Sequence, residues 1–359
     1  MRVKLINLLL ICVLFLAAGT LLWAGKKKMP NEISIIRQGL TDPDLEVRSA
    51  SVEILAKLHD TDSLPEIKKL LMDKSDSLKI KTAVAMAKLG DRSGITEIRK
   101  ILNNAPVLSE KPTSMERVKA IMRGTVRAEA AYALGEINDV DSKPVLQKWV
   151  DDDDGRVGDA CMVSLAKMGD KSIKDEFLSA LESTKQGVRA KAAQILCDIG
   201  DTTCFTGLRK RSKDWDKDVK GYSILALGKL KDTESMSAIR ELLWDKDDTV
   251  REKAVLALGY MGNTEAIGAL KETLQDANGF VRITASKALH MLGDDSGKDF
   301  LIRVLKTDDK DAKLRALNAL DGMVKPEDVP VLQQLAAGTD KLIAVKAAGY
   351  LTALKMEKQ

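Results

Sequence analysis

The chain is poor in the residues that most enzymes and most sheet proteins rely on. Aromatic residues make up 4% of its 359 residues, and there are two histidines, four cysteines and eight prolines. The Val/Ile/Thr alternation of half-buried strands is missing, so sheets are not expected. Cys12 lies in an N-terminal apolar run. Cys161, Cys197 and Cys204 are an odd number at irregular spacing, which fits neither a disulfide framework nor a zinc site. Cys197 and Cys204 flank one helix-helix turn, and two readings stand: a disulfide in an oxidising compartment, or small buried side chains. No GxSxG, Walker loop, HExxH or CxxC occurs, and no His-Glu pair accompanies His59 or His290. No catalytic, metal-binding or cofactor-binding residues and no cofactor are therefore expected. A strong basic excess is also lacking. Of the net charge of +4, five positive charges are Arg2, Lys4, Lys26, Lys27 and Lys28, which leaves −1 for the rest. A nucleic-acid partner is not expected of so neutral a body.

Only one long apolar run is present. Leu5 to Ala24 follows a basic start and offers a cleavage site after Ala24, with Leu22 at the −3 place, in the manner of secretory signal peptides. Its 20 residues also suffice to span a bilayer, and three lysines follow directly. Residues 1–24 are read as a signal peptide or an N-terminal membrane anchor, and 25–30 as a basic linker. The remainder is expected to be exported, periplasmic or secreted, with membrane contact only through residues 5–24 if they are retained.

What the chain does have is a repeat. The sentence "VREKAVLALGYMGN" at 250–263 is followed 31 residues later by "VRITASKALHMLGD". With its first residue as position 1, the matching anchors are Val47, Leu78, Val126, Val157, Val188, Val219, Val250, Val281, Ala312 and Ile343. Every spacing is 31 except one of 48, an insertion of 17 residues at about 103–122. Positions 1, 5, 8, 9 and 12 are apolar or small and share one face at helical pitch. Cap residues precede the anchors (Asp44, Ser75, Asp154, Asp216, Asp247, Asn278, Asp309, Asp340), and Gly90, Gly169, Gly200, Gly262 and Gly293 follow the helices. A shorter helix comes next, as in "SAIRELL" at 236–242. Neither helix buries its apolar face alone, so the units must stack.

The sentence V-R-x-x-A-x-x-x-L-x-x-L-G-D resembles the HEAT-like repeat of the phycobilisome-lyase type over roughly residues 30–359. The expected fold is all-α: an α-solenoid of ten two-helix repeats, a curved rod roughly 90–100 Å long. The resemblance implies that the second, shorter helices line the concave side. It also offers a function, a lyase or chaperone-like cofactor carrier of the bilin-lyase type with a small molecule in the groove. Export argues against work on cytoplasmic phycobiliproteins.

Position 2 is basic in eight of ten units, including Arg48, Arg127, Arg189, Arg251 and Arg282. Each sits at the edge of the buried face, beside loops rich in Asp, so a ladder between repeats is expected in preference to a phosphate-binding stripe. Positions 3 and 7 lie opposite the core and should face the groove. Apolar residues there, Ile80, Val84, Tyr132, Leu225 and Leu256, are candidate contacts for a protein partner of unknown identity. Trp149 and Trp244, in the helix links, are further candidates. In the insertion, "NNAPVLSEKPTS" is expected to be a loop, followed by one prolonged helix capped by Thr113 or Ser114. The sequence thus points to an exported, non-catalytic scaffold that binds another protein through its concave helix face and inter-repeat loops.

Overall fold

The structure is a computed structural model that describes residues 32–357 apart from 171 and 201. The expected leader and linker lie outside the described residues. Twenty α-helices and no strands are found among the described residues. They form ten pairs, each a short helix followed by a longer anchor helix. The first five pairs are α1 (Ile33–Gly39) and α2 (Leu45–Lys57), α3 (Leu64–Lys69) and α4 (Asp76–Lys88), α5 (Ile95–Asn103) and α6 (Ser114–Glu136), α7 (Lys143–Lys148) and α8 (Gly155–Lys167), and α9 (Ser172–Ala180) and α10 (Gln186–Ile199). The second five are α11 (Phe205–Arg211) and α12 (Lys217–Lys229), α13 (Met236–Glu241) and α14 (Asp248–Met261), α15 (Ile267–Thr273) and α16 (Gly279–Met291), α17 (Lys298–Val304) and α18 (Lys310–Ala319), and α19 (Val329–Ala336) and α20 (Lys341–Glu357).

Local chemistry sets the helix ends. Asp44, Ser75, Asp154, Asp216, Asp247, Asn278 and Asp309 each accept a backbone N–H from the first turn of the following helix. Asp340 does the same for Ile343 at 3.1 Å. These bonds satisfy donors that the helix leaves without an internal partner. At the other end, Gly200 and Gly262 close their helices in the left-handed conformation, at φ 79° and 74°.

Each anchor helix is buried on two sides. Val250, Ala254 and Leu258 face the short helices, as the repeat pattern predicts. Position 6 is buried as well, at Val52, Ala83, Ala131, Ile224, Val255 and Leu317, and packs against the adjacent anchor helix. Approach there is close enough to demand small residues. A Cβ on Gly228 would stand 2.4 Å from Ala257 Cα, so the two helices touch backbone to backbone at that point. Consecutive anchor helices pack closely along the array, whereas consecutive short helices do not. The closely spaced layer is the inner one. This corrects the expectation that the shorter helices line the concave side: they stand outside.

The array is not an open rod. Helix α20 packs against both α1 and α2, so the tenth unit meets the first. One side of α20 places Leu342, Val345 and Ala348 in a core shared with Ile33, Ile36, Leu40 and Val47. Its opposite side, Ile343, Ala347 and Leu351, belongs to a core shared with Leu301, Leu317 and Leu332 of the ninth and tenth units. Ion pairs cross the seam: Lys341 Nζ lies 2.7 Å from Asp42 Oδ2, and Lys355 pairs with Glu32. The ten units close into a ring, and closure replaces the polar capping units that an open solenoid requires at its ends.

Candidate interaction surfaces

The two rims of the ring are held by ladders of charge. On the rim that carries the anchor-helix N-termini, the position 2 base bridges two loops. Arg251 Nη1 donates to Asp245 O at 2.9 Å, in the loop before its own helix. Its Nε and Nη2 donate to Asp276 Oδ2 and Oδ1 at 2.7 and 3.0 Å, in the loop of the next unit. Arg189 repeats this with Ser183 O, Thr184 O and both oxygens of Asp214. Arg48 reaches Asp42 O, Pro43 O and, at 3.2 Å, Asp73 Oδ2. Arg127 donates to Leu102 O at 2.8 Å, and its Nη2 lies 2.7 Å from Asp152 Oδ2 without the angle of a hydrogen bond. Lys220 reaches Asp245 at 2.7 Å. In each case the Asp stands 25 residues after the base and also accepts the N–H two residues on, as in Asp276 to Asn278. Burial by itself would raise the Asp214 pKa, but the two hydrogen bonds from Arg189 hold it below the ordinary carboxylate range.

The closure of the ring uses the same device. Asp42 is the ladder carboxylate of the first loop, and the tenth unit has Ala344 where a base would stand. Lys341, three residues earlier on α20, supplies the charge in its place.

A second ladder, not anticipated from the sequence, runs along the other rim. A base on a short helix meets an Asp 23 residues on: Arg37 with Asp60 at 2.8 Å, Lys68 with Asp91 at 3.1 Å and Lys271 with Asp294 at 2.7 Å. Ser63, Ser142 and Ser235 donate to Asp60, Asp139 and Asp232 within the D-x-x-S turns that start the short helices. The regular spacing of "DTDS", "DVDS" and "DTES" was the signal available for it. Hydrogen bonds from Ser93 and from Lys68 lower the Asp91 pKa to about 2, and Lys271 with Ser296 lowers that of Asp294 to about 2, from the ordinary 3.8. A depressed carboxylate stabilises the fold above its unfolded pKa, and the gain is lost as pH falls toward the folded value. Melting temperature should therefore hold from neutrality to about pH 5 and fall between there and pH 2. Asp91→Asn with Asp294→Asn should flatten that decline in a calorimetric pH series.

The candidate contacts divide by position. Ile80 and Val84 are 4% and 9% exposed and belong to the core between units, so their apolar character serves packing and they are not open surface. The curvature of the ring explains this, because inner positions crowd as units rotate toward one another. Tyr132, Leu225 and Leu256 remain partly exposed on the inside of the ring. That side is crossed by ion pairs such as Arg315 to Glu252 at 3.6 Å, which joins units two apart. Trp244 is exposed at the end of its short-helix link. Trp149 is half-buried and held on three sides: its Nε1 donates to Asn103 Oδ1 at 2.9 Å, and the Arg127 guanidinium and the Lys148 ammonium lie 4.4 and 4.5 Å from its ring. Cys161, Cys197 and Cys204 are buried thiols, with Cys161 pushed up to about 12 by burial, so the disulfide reading is not taken up. His290 Nδ1 lies 2.7 Å from Asp295 Oδ1, and Lys325 contacts the other oxygen, Oδ2, at 3.0 Å. Among the described residues no group of three His, Cys, Asp or Glu gathers to hold a metal ion.

The insertion forms the largest departure from regularity. Residues 104–113 are a loop, and Thr113 closes a capping box with Glu116 at the start of α6. That helix begins about ten residues before the usual anchor start, so it projects roughly 15 Å beyond the rim. Its tip exposes Met115 (63%), Val118 (50%), Ile121 (57%) and Met122 (64%), and the loop adds Val107 (96%). A groove of about 580 Å³ runs between this tip and the loop before α8, lined by Pro106, Leu108, Ile121, Trp149, Asp151 and Asp153. The sequence located the insertion but not its exposed apolar residues, because burial at a helix face depends on what packs there.

Profiles of HEAT repeats match residues 33–109, 119–197, 174–255, 205–289, 245–321 and 269–355. The chain belongs to the HEAT-repeat family. Solved structures that resemble this HEAT-repeat protein do so in fold alone. They include the complex of CpcE and CpcF of phycocyanin lyase from Nostoc sp. PCC7120, at 16% identity and TM-score 0.40, covering 84% of this chain and 97% of that one. Human deoxyhypusine hydroxylase is 19% identical at TM-score 0.35, covering 73% and 96%. An engineered protein is 19% identical at TM-score 0.33, covering 91% and 99%. No curated protein matches the chain.

Proposed function

We propose that this HEAT-repeat ring is an exported, non-catalytic scaffold that holds a protein partner on the rim carrying the anchor-helix N-termini. The single observation that carries the reading is the projecting tip of α6, where four large apolar side chains stand in solvent on a capped helix. Solvated helix tips are normally polar, and contiguous exposed apolar surface marks interaction sites. The concave face supports the reading less than the inter-repeat loops do, since Ile80 and Val84 are core and the inside of the ring is laced by ion pairs. The cofactor-carrier alternative calls for an enclosed pocket with converging polar groups. Four hollows on the rims, of about 470–580 Å³, are open grooves and do not have that form. Export rests on the N-terminal sequence, and N-terminal sequencing of the mature protein tests it.

The test of the scaffold is Val118→Asp with Ile121→Asp. Both residues are exposed, so stability should change by less than about 0.5 kcal/mol for each substitution. Crosslinking in the native envelope fraction should lose a discrete partner band present with the unaltered protein. An unchanged band would sink the reading.

A further inference from the structure

Among the five arginine rungs of the ladder, one lacks its carboxylate. Arg282 is held as Arg251 and Arg189 are, with Nη1 donating to Asp276 O at 2.6 Å and Ala277 O at 3.2 Å. In Arg251 the remaining Nε and Nη2 edge takes both oxygens of Asp276, 25 residues on. The residue 25 after Arg282 is Thr307, whose hydroxyl donates instead to Val304 O at 2.8 Å. Among the described residues no carboxylate pairs with Arg282. The guanidinium is thus oriented by its own loop with one donor edge unused by the protein.

That edge borders an open groove of about 550 Å³ between the eighth and ninth units. Phe280 and Phe300 form apolar walls, with the Arg282 guanidinium 5.3 Å from the Phe300 ring and that of Arg315 4.1 Å from Phe280. Arg303 also lines the groove and has no acceptor among the described residues. The one acid there, Asp309, is engaged in capping Ala312. The groove therefore sets two guanidinium groups that contact no carboxylate among the described residues beside aromatic surface.

We infer that this groove binds an acidic side chain of a protein partner, with the ligand carboxylate taking the bidentate place on Arg282 that Asp276 takes on Arg251 and a neighbouring apolar residue resting between Phe280 and Phe300. The molecule itself shows the chemistry, since the same fork receives an Asp carboxylate in the rungs of Arg189 and Arg251. A planar fork of two parallel donors matches a carboxylate and is already oriented, so little rotamer freedom is lost on binding. The inference rests on the scaffold reading and places a second contact on the same rim as the insertion, five units round the ring.

The probe is an acetylated, amidated Phe-Asp-Phe peptide, followed by chemical shifts of the intact chain. Saturable binding is expected at the groove, with the Phe-Asn-Phe analogue weaker by at least about tenfold, as for loss of a charge-assisted hydrogen-bonded pair. Thr307→Asp should restore the internal rung, keep or raise the melting temperature, and weaken the probe by a similar factor. Arg282→Ala should do the same to binding. Equal binding of the Asp and Asn peptides, no binding of either, or a Thr307→Asp protein that binds as before would overturn the assignment. So would stronger competition by inorganic phosphate than by acetate. The Val118→Asp, Ile121→Asp protein should bind the probe unchanged, so failure at the insertion and failure here are read separately.

Discussion

Cutting the chain after Lys325, which removes the tenth unit, should lower the thermal stability of the other nine units together. In an open solenoid each repeat touches only its neighbours, so loss of a terminal unit leaves distant repeats largely unaffected. Here α20 is the joint between the two ends of the ring. Removal exposes Ile33, Ile36, Leu40 and Val47 on one side and Leu301 and Leu317 on the other, all now buried. Full burial of such side chains contributes about 1.5–3 kcal/mol each, so their combined exposure is comparable with the whole stability of an ordinary domain. Circular dichroism melting measures it: the truncated chain should melt many degrees lower and over a broader range. A melting point equal to that of the full chain would show that the seam adds nothing. The companion experiment is a circular permutant that joins residue 357 to residue 32 and opens the loop at 107–108. Lys355 already pairs with Glu32, so the join is short and melting should shift little.

Arg127→Ala should destabilise the chain by about 3–5 kcal/mol, the largest effect expected of any ladder residue. The Arg127 side chain is 1% exposed and that of Asp152 is 7%. Removing the guanidinium leaves Asp152 and the Leu102 carbonyl without their partner inside the protein and takes away the support under Trp149. Asp152 would keep the N–H of Asp154, which offsets only part of the loss. Arg251→Ala should cost less, because its side chain is 15% exposed against 1% for Arg127, so its guanidinium site is already partly open to water. Urea unfolding of the two variants compares them directly. Equal losses would mean that burial does not govern the strength of a rung. Arg127→Lys should not rescue, since a lysine offers no fork to span the carbonyl and the carboxylate.

Much of the fold was legible residue by residue. Asp44, Asp216 and Asp247 announced their helices because capping is a local bond between a side chain and N–H groups two or three residues away. The first ladder was legible for a related reason: Arg251 beside Val250 at a helix start has only the adjoining loops within reach. The Asp partner 25 residues on follows from the repeat period, and so does its replacement by Thr307. The second ladder needed the pairing of short helices with the turns of the next unit, which periodicity in the anchor helices does not reveal. Ile80 and Val84 were misassigned because the outward face of an isolated helix becomes an inward face once its neighbours close around it.

The sequence by itself determined that the repeats are helical, that the units number ten, where most anchor helices start, and where the insertion falls. These are local matters of period, cap and small residue. Only the tertiary structure decided that the array closes, which helices stand inside, and which apolar residues are left in water. The reason is accumulation: each unit turns by a small angle set by contacts such as Gly228 against Ala257, and ten such turns decide whether the ends meet. No single repeat carries that sum, so ring closure and the exposed tip of α6 appear only when all ten units are packed together.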